Sequence, residues 1–380
     1  MLWEQLILIQ RRVVTEISTS DDFGDAWDGL TRNATPEAGV LCNSACATLE
    51  WTVALWKTHL VGAPLHVTIV EEEGQALAIF PCFRQPGWGT RMLGADTLIS
   101  IQELYLGRVG LLVSAGRDDA IDVLLNANNG DSRRWSRITL SVLEGSVSQT
   151  MLEAAIKRNH LNYRVSQAAP SPYIELPPSK DEYFNSLDKG FRKKLRQRER
   201  NWAALDGVTL RIFRDAAEVD ILLAMIEKVE RASWKEREGT SITANPRQKD
   251  FYRAMLPSAA SRGWLRTLVL MHEDEPVAYQ LGLAFNNVYE CLKTSYNENY
   301  VRFGPGNIIM QRLIELLYEE NIRYCDLQGL MDDFKSKWTS TTYRHLRYVI
   351  YANNVAGWAS RMGATIKTVF NAGAHTAATD

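Results

Sequence analysis

The chain has 380 residues and a formal net charge of -2, with 46% hydrophobic and 23% charged residues. That length is enough for two domains of ordinary size, and the composition is that of a soluble globular protein. A net charge near zero argues against a protein built mainly to hold a polyanion, although it leaves room for a local basic patch.

Neither the N-terminal residues nor the cysteines indicate export. The apolar stretch from Leu6 to Ile9 ends at Arg11 and Arg12, and it lacks the hydrophobic region and the cleavage site of a signal peptide. Nowhere do the roughly 18 consecutive apolar residues of a membrane-spanning helix occur. The five cysteines form no C-x-x-C pair, which is typical of free thiols in a reducing compartment. We expect a cytoplasmic protein with no membrane span and no metal.

Short helices and strands alternate through the first half of the chain. The apolar runs Leu65 to Val70 and Gln75 to Phe83 flank an acidic turn and predict a strand pair. The glycine-rich segment from Gly87 to Gly94 is typical of a turn, because no capped helix follows it. The other elements predicted here are strands at Val13 to Ile17, Ile138 to Val142 and Tyr163 to Gln167, and helices at Ser20 to Leu30, Ala47 to His59, Asp118 to Asn126 and Ser148 to Asn159.

A cluster of prolines between Pro170 and Pro178 predicts an extended connection between two domains. Ser179 with Glu182 then has the form of a capping box that starts a helix. We therefore expect an N-terminal domain at 1–169, a C-terminal domain at 170–354, and a final helix with a frayed tail at 355–380.

The helix predicted from Phe191 to Leu205 is strongly basic. One interpretation is a solvated helix that packs an apolar stripe and keeps its cations in water. The other is that its cationic face meets a phosphate of a nucleotide or of RNA. The basic residues are Arg192, Lys193, Lys194, Arg196, Arg198 and Arg200.

Three strands and two tight turns are predicted next, at Leu265 to Met271, Pro276 to Phe285 and Val288 to Tyr296. A loop from Asn297 to Asn307 leads into a helix from Ile308 to Glu320. A buried strand follows at Ile322 to Leu327.

Gly304 and Gly306 bracket Pro305 in that loop. Glycines let a backbone approach an anion, and the first free N–H groups of a helix point at it, helped by the helix dipole. The pattern is also compatible with a simple helix-entry turn.

This order of elements resembles the acetyl-CoA-binding core of the GNAT acyltransferases. In that family the loop carries Gln or Arg, two residues, Gly, one residue, then Gly or Ala; here Gly304 and Gly306 fit, Val301 holds the basic position, and Arg302 stands one residue later. The resemblance implies an α/β fold with mixed sheets, built as two similar GNAT-like halves, of which the second binds acetyl-CoA or another acyl-CoA. The implied donor-binding residues are Arg302, Phe303, Gly304, Gly306, Asn307 and Ile308.

The residues around Pro172 to Pro177, Tyr183 to Leu187 and Phe191 to Arg196 resemble the CelD-like, or cellulose-biosynthesis acetyltransferase-like, branch. That branch is distantly related to the Fem aminoacyl transferases of peptidoglycan synthesis. The pair Phe334 and Lys335 resembles the Phe-Lys of the Fem enzymes, which lies against the transferred group and the acceptor.

Acyl transfer needs groups that place a nucleophile, accept its proton and protonate the departing thiolate. The resemblance places the thioester where two parallel central strands separate, which makes polar residues there candidates. Lys335 could neutralise developing negative charge or pair with Asp332 or Asp333. Asp326 could act as a base or tie down Arg302 or the following loop.

Glu290 is a candidate base if it is buried and an ordinary surface residue if it is exposed. Tyr296 is a candidate thiolate acid. Trp234, Lys235 and Arg237 are expected to line the acceptor pocket, since they fall where GNAT folds place the acceptor-covering helices. Phe334 is expected to contact the acceptor because of its resemblance to the Fem pair.

We therefore expect a cytoplasmic, acyl-CoA-dependent N- or O-acyltransferase, most simply an acetyltransferase, that uses no metal. Its acceptor is expected to be a small polar molecule such as an amino sugar, a sugar nucleotide or another surface-polymer precursor. Two alternatives stay open: a Fem-like transferase that uses aminoacyl-tRNA, and a non-catalytic GNAT-like binding protein. Nucleic acid is a partner only in the first of these alternatives.

Overall fold

A computed structural model of the chain describes residues 9–18, 24–33, 44–86, 93, 95–104, 111–126 and 134–363. Cys42, most of the segment from Gly87 to Gly94, and the C-terminal residues 364–380 lie outside the described residues.

The strands are, in chain order, β1 Gln10–Val14, β2 Leu65–Glu72, β3 Gln75–Pro86, β4 Ala95–Ser100, β5 Leu112–Val113, β6 Arg134–Leu143, β7 Asn162–Gln167, β8 Ser171–Glu175, β9 Val208–Phe213, β10 Thr267–His272, β11 Glu275–Phe285, β12 Val288–Tyr296, β13 Tyr324–Asp326, β14 Thr342–Tyr343 and β15 His345–Tyr351. The α-helices are α1 Gly24–Asn33, α2 Leu49–His59, α3 Asp119–Leu125, α4 Val147–Arg158, α5 Lys180–Ser186, α6 Lys189–Ala203, α7 Val219–Arg231, α8 Trp234–Arg237, α9 Pro246–Ser261 and α10 Pro305–Glu319. Residues 355–363, the described part of the predicted C-terminal helix, are also helical.

The chain divides into two compact units. The first runs up to Ala168, apart from Lys57–His59, and takes up the chain again at Arg344; the second contains Ala169–Tyr343 together with Lys57–His59. Each unit is organised on one sheet.

The first sheet has the strand order β1-β2-β3-β4-β6-β15-β7, with β5 pairing with β3. Strands β4 and β6 are parallel, and the other neighbours are antiparallel. The predicted pair around the acidic turn is β2 with β3, and the turn takes positive φ at Glu73 and Gly74. Apolar residues of the sheet pack with Leu124 of α3 and Leu152 of α4 to form the core of this unit.

Strand β15 lies in this first sheet, which corrects the placement of residues 344–354 in the C-terminal domain. It pairs antiparallel with β6 on one side and with β7 on the other. The side chains of Leu346, Tyr348 and Ile350 alternate into the core of the first unit. The chain thus returns to its first sheet after finishing the second, and hydrophobic alternation within the strand carries no information about which sheet it joins.

The second sheet has the order β14-β8-β13-β12-β11-β10-β9. Strands β12 and β13 are parallel, and the other neighbours are antiparallel. Strands β10, β11 and β12 are the three predicted from the sequence, and the turn before β12 takes positive φ at Asn286 and Asn287. The two sheets therefore share a plan: a four-stranded antiparallel run followed by one parallel neighbour.

Helices α10 and α6 supply the core of the second unit. Ile309, Leu313 and Leu317 recur at helical spacing along α10 and are buried in one cluster with Leu195 and Trp202 of α6. This packing accounts for the apolar stripe of the basic helix.

Among the described residues, no helix is long and apolar enough to cross a lipid bilayer. The same part of the chain has no group of three or more His, Cys, Asp or Glu side chains that could hold a metal. Cys46, Cys82, Cys291 and Cys325 are free thiols.

Candidate functional site

The parallel strands β12 and β13 stay together for only three residue pairs, from Val288 with Tyr324 to Glu290 with Asp326. Strand β13 then ends, while β12 continues to Tyr296 with its other edge still paired to β11. Beyond Asp326 the chain turns away through positive φ at Gln328 and Gly329. An opening therefore forms between the two strands beyond this last pair, and we call it the strand opening.

A loop at residues 297–307, here called the Gly304 loop, leads from the end of β12 into α10. Gly304 takes the left-handed conformation, with φ 63° and ψ 51°, and is the residue before the first turn of the helix. It offers no side chain to cap the helix, and Pro305 has no N–H group. The helix has no side-chain cap, and Asn307 and Ile308 donate their backbone N–H groups to the carbonyl of Gly304 at 3.0 and 3.3 Å. Its N-terminus therefore favours an anion through the helix dipole and the N–H group of Gly306.

Gly306 brings three predicted residues together. A Cβ atom built at Gly306 would lie 3.4 Å from the ring of Tyr296 and 3.9 Å from the ring of Phe334. Tyr296 ends β12, and Phe334 belongs to the loop that follows β13. The first turn of α10 thus lies against aromatic residues from both sides of the strand opening, and a larger residue at 306 would displace them.

Three polar atoms on elements that border the strand opening are buried without a hydrogen-bond partner among the described residues. They are Ser295 Oγ on β12, Asn307 Oδ1 in the first turn of α10, and Gln328 Nε2 after β13. Buried polar groups are nearly always paired, so unpaired ones call for a missing water or ligand. Their distribution over three elements fits a ligand that enters between the strands.

Helix α6 supports the Gly304 loop, and sequence reasoning missed the residues that do so. Trp202 Nε1 donates to the carbonyl of Phe303 at 3.0 Å, and its ring stacks on that of Tyr300. The side chain of Arg198 lies so close to Gly304 that a Cβ atom there would come within 2.3 Å of its Nε. The sequence offered the basic character of α6 as a signal, but it could not single out Arg198.

The other predicted donor-binding residues have different surroundings. Arg302 is exposed and stacks on Phe303, with 4.7 Å between its guanidinium carbon and the ring centre. Ile308 is 3% exposed and packs in the core of the second unit.

The two predicted carboxylates are both fully buried. Glu290 and Asp326 are opposite each other in the last parallel pair, so their side chains lie on the same face of the sheet. Asp326 accepts hydrogen bonds from Tyr343 Oη at 3.0 and 3.2 Å and from the backbone N–H of Gln328 at 2.9 Å. It thus ties down the loop after β13, which is one of the two roles considered from the sequence.

Lys335 closes that same loop. Its Nζ donates to the carbonyls of Gln328 at 2.5 Å and Leu330 at 2.9 Å, and it lies 4.0 Å from the carboxylate of Asp332. The ammonium group therefore ties the turn at Gln328 to Leu330 to the segment that carries Phe334.

Trp234 and Arg237, both on α8, contact opposite parts of the site. The ring of Trp234 lies 4.9 Å from the ring of Tyr296, between centroids. Arg237 forms a bidentate ion pair with Glu298 in the Gly304 loop. Burial, followed by the charge of Glu298, raises the pKa of Tyr296, so that its phenol keeps its proton at neutral pH.

A buried polar cluster lies next to Trp234. The sequence indicated its member Lys235 and gave no signal for its central residue, Glu230. Glu230 of α7 is fully buried; it accepts a hydrogen bond from Tyr279 Oη at 2.5 Å, and its carboxylate lies 3.4 Å from Lys293 Nζ and 4.0 Å from Lys235 Nζ. Burial first, and then the neighbouring ammonium of Lys293, lowers the pKa of Lys235 to about 8. The side chain of Lys235 remains 18% exposed, so it is the member of the cluster that can reach solvent or a ligand.

Comparison with protein families assigns part of the chain. Residues 189–336 match a family model described as an acetyltransferase (GNAT) domain, and the match runs from α6 through the Gly304 loop to Lys335. The matched residues all lie within the second unit. No curated protein matches the chain at a significant level.

Several solved structures are similar over nearly the whole chain. The crystal structure of FemX has 12% identity and a TM-score of 0.60, covering 89% of this chain and 96% of that one. A conserved protein of unknown function from Bacteroides thetaiotaomicron VPI-5482 has 11% identity and a TM-score of 0.54, covering 92% of this chain and 100% of that one. A tandem GNAT protein from the clavulanic acid biosynthesis pathway has 13% identity and a TM-score of 0.47, covering 91% and 99%.

At such identities the first two likenesses concern the fold alone. Together with the GNAT match of the second unit and the shared plan of the two sheets, they confirm the predicted fold class, a tandem GNAT-like fold with mixed α/β sheets.

Proposed function

We propose that this protein is an acyl-CoA-dependent acyltransferase, with acetyl-CoA as the simplest donor, that acylates an amine or hydroxyl of a small polar acceptor. The observation that carries the proposal is the strand opening, which the bare N-terminus of α10 and three unpaired buried polar atoms border. The coarser assignment to the acyltransferases rests on the GNAT match.

In this proposal the pyrophosphate of CoA binds at the Gly304 loop. Gly306 would offer its backbone N–H group at the positive end of the helix dipole, since Asn307 and Ile308 already donate to the carbonyl of Gly304, and Arg198 adds a full positive charge beside Gly304. Arg198 would thereby replace the basic residue that is absent from the loop at Val301.

The thioester would then lie in the strand opening between β12 and the loop after β13. The acceptor nucleophile attacks the thioester carbonyl, a C–N or C–O bond forms, and the C–S bond breaks. We assign Lys235 to accept the proton of the nucleophile, because a pKa of about 8 leaves part of its amine neutral near physiological pH. We assign Tyr296 to give its proton to the departing thiolate, because it ends β12 beside the strand opening and lies against the first turn of α10.

The remaining predicted residues have supporting roles in this scheme. Lys335 and Asp326 fix the loop that carries Phe334, and Trp234 and Phe334 enclose the ring of Tyr296 and the first turn of α10. An amino sugar, a sugar nucleotide or another precursor of a surface polymer is the acceptor class that the CelD-like resemblance suggests, and a cytoplasmic reaction would fit the site of CoA metabolism.

Transfer of an aminoacyl group from tRNA is the second candidate. Exposed cations on α6, Lys194 among them, would suit the backbone of an RNA. In that case the protein would bind tRNA and would not bind CoA.

The test is calorimetric titration of the full-length protein with acetyl-CoA and with CoA. We expect saturable binding in the wild type and its loss in Gly306→Trp, because the indole would occupy the space between Tyr296, Phe334 and α10. Gly29→Trp in α1 is the size-matched control, since a Cβ there meets nothing within 4 Å. Absence of binding at millimolar ligand, in wild-type protein shown to be folded by circular dichroism, would refute the proposal.

A further inference from the structure

An open groove lies along one side of α6 in the second unit. It has a volume of about 770 Å³, within the range of sites that hold a nucleoside-sized ligand. One wall is formed by α5 and α6, and the other is formed by residues 336–341 and β8. We call it the α6 groove.

The charges that line the α6 groove are unbalanced. Its two acidic residues are already engaged: Asp188 accepts from the backbone N–H of Phe191 as the cap of α6, and Glu175 pairs with Arg323 at 2.9 Å. Its three basic residues are Lys194, Arg198 and Lys337, and within the described residues they have no ion pair or hydrogen bond. Lys194 and Arg198 are one helical turn apart and share a face of α6. Asp188 keeps its negative charge, so the groove offers a ligand a net positive charge from the three cations.

A buried donor in the groove also has no acceptor. Trp338 lines the groove and is 1% exposed, and its Nε1–H finds no hydrogen-bond partner among the described residues. Leaving a buried donor unpaired costs free energy, so the site gains from a ligand or water that brings an acceptor oxygen. This observation is independent of the exposed cations.

Two contacts connect the α6 groove with the Gly304 loop. Arg198 lines the groove and at the same time lies against Gly304. The ring of Trp338 is tilted against that of Phe334, with 6.5 Å between ring centroids, and Phe334 lies near Gly306. Arg198 is thus shared by the two regions, so one extended ligand that contacts Arg198 can border both the Gly304 loop and the α6 groove.

We propose that the α6 groove binds the phosphorylated nucleoside end of the donor, with Lys194 and Arg198 contacting the 3′-phosphate of CoA. The proposal rests on the proposed function, and it adds a specificity-determining site to it. CoA and 3′-dephospho-CoA share the thiol arm and the pyrophosphate and differ in this phosphate alone, so the groove should distinguish them.

The experiment is titration of wild-type protein with CoA and with 3′-dephospho-CoA. We expect CoA to bind roughly tenfold more tightly, as a single charge-assisted phosphate contact would give. Lys194→Ala should abolish that preference by weakening CoA while leaving 3′-dephospho-CoA within about twofold of the wild type. Arg198→Gln should weaken both ligands, because Arg198 also lies against Gly304.

Arg196→Ala is the matched control. It removes the same charge from an exposed position of α6 that faces away from the groove, and the preference for CoA should persist. Equal affinity of the wild type for both ligands, or an equal loss of both in Lys194→Ala, would overturn the groove assignment and leave the proposed function intact. Binding of bulk tRNA that is lost in Lys194→Ala, without any preference for CoA, would also overturn it and favour RNA. If neither nucleotide binds, the proposed function itself fails.

Discussion

The two sheets have the same strand plan but treat their parallel pair differently. In the first sheet β4 stays paired with β6 from Ala95 to Ile99, nearly its whole length. In the second sheet β12 pairs with β13 for three residues and then continues alone to Tyr296. The strand plan is therefore not what creates the candidate site.

The separation of β12 from β13 depends on a few interactions just beyond their last pair. Gln328 and Gly329 turn the chain away at positive φ, Asp326 holds the N–H of Gln328, and Lys335 closes the turn. In the described part of the first sheet, β4 and β6 remain joined by backbone hydrogen bonds, which leave no opening between them. One topology thus serves as a scaffold in one unit and forms a binding site in the other.

The strongest test of this contrast compares two glycines in the left-handed conformation, Gly304 in the second unit and Gly74 in the first. Gly304→Ala in the second unit should cost roughly 1–2 kcal/mol of backbone strain, and its Cβ would also displace Arg198. We expect a lower unfolding temperature and at least a tenfold rise in the Kd for CoA. Gly74 in the first unit has φ 81°, but a Cβ there would meet no atom within 4 Å. Gly74→Ala should therefore lower the unfolding temperature through backbone strain and leave the Kd for CoA unchanged. A Kd for CoA equal to that of the wild type in Gly304→Ala would show that the Gly304 loop does not bind the donor.

The next largest effect is expected where the loop after β13 is held open. Lys335→Met removes two hydrogen bonds from an ammonium group to backbone carbonyls, each worth on the order of 1 kcal/mol or more. Amide hydrogen exchange at residues 328–336 should accelerate, whereas Lys337→Met should leave it unchanged. Unchanged exchange in Lys335→Met would mean that the loop does not depend on this tether.

Substitutions at Ser295 in the second sheet and Thr97 in the first should change the free energy of unfolding in opposite directions. Ser295→Ala removes an unpaired buried hydroxyl from β12, so the unbound protein should become more stable by about 1 kcal/mol while CoA binds more weakly. Thr97→Val in β4 removes an acceptor that Arg137 Nε uses at 3.2 Å, so stability should fall and CoA binding should not change. Both quantities follow from denaturant titration and calorimetry on the same preparations. A loss of stability in Ser295→Ala would show that its hydroxyl is already satisfied.

The smallest expected effect is the pH dependence contributed by Lys235. Its folded-state pKa of about 8 is below the value of roughly 10.4 in an unfolded chain. Between these values the unfolded state binds more protons, so stability rises with pH across this window. Lys235→Met should flatten the rise in thermal unfolding temperature between pH 8 and pH 10 relative to the wild type. The charges of Glu230, Lys293, Glu238 and Lys335 act on Lys235. If the unfolding temperature rises equally with pH in the wild type and in Lys235→Met, Lys235 does not have the lowered pKa.

Local patterns in the sequence predicted most elements of the second unit. The asparagine turn before β12, the helical spacing of Ile309, Leu313 and Leu317, and the helix-entry glycines depend on interactions between near neighbours in the chain. They gave the strands, the helix and the Gly304 loop correctly, because backbone preference and hydrophobic periodicity act over a few residues.

The candidate site was only partly accessible to the same reasoning. Gly306, Tyr296 and Phe334 were named in advance because they resemble a known pattern, and the structure brings them into contact. The sequence presented Arg198 only as one of six basic residues on a helix and Lys235 only as a neighbour of Trp234. Their significance comes from Gly304 in the first case and from Glu230 and Lys293 in the second. Residues far apart in the chain create these surroundings, and no local pattern encodes them.

By itself, the sequence determined which segments become strands and helices, the position of the Gly304 loop, and the presence of two similar halves. Only the tertiary structure decided that β15 returns to the first sheet, that β12 and β13 separate after Glu290, and which cations face the α6 groove. The physical reason is the range of the interactions: turns and amphipathic periods are set by neighbours in the chain, whereas strand partners, burial and the balance of charge depend on which distant segments meet.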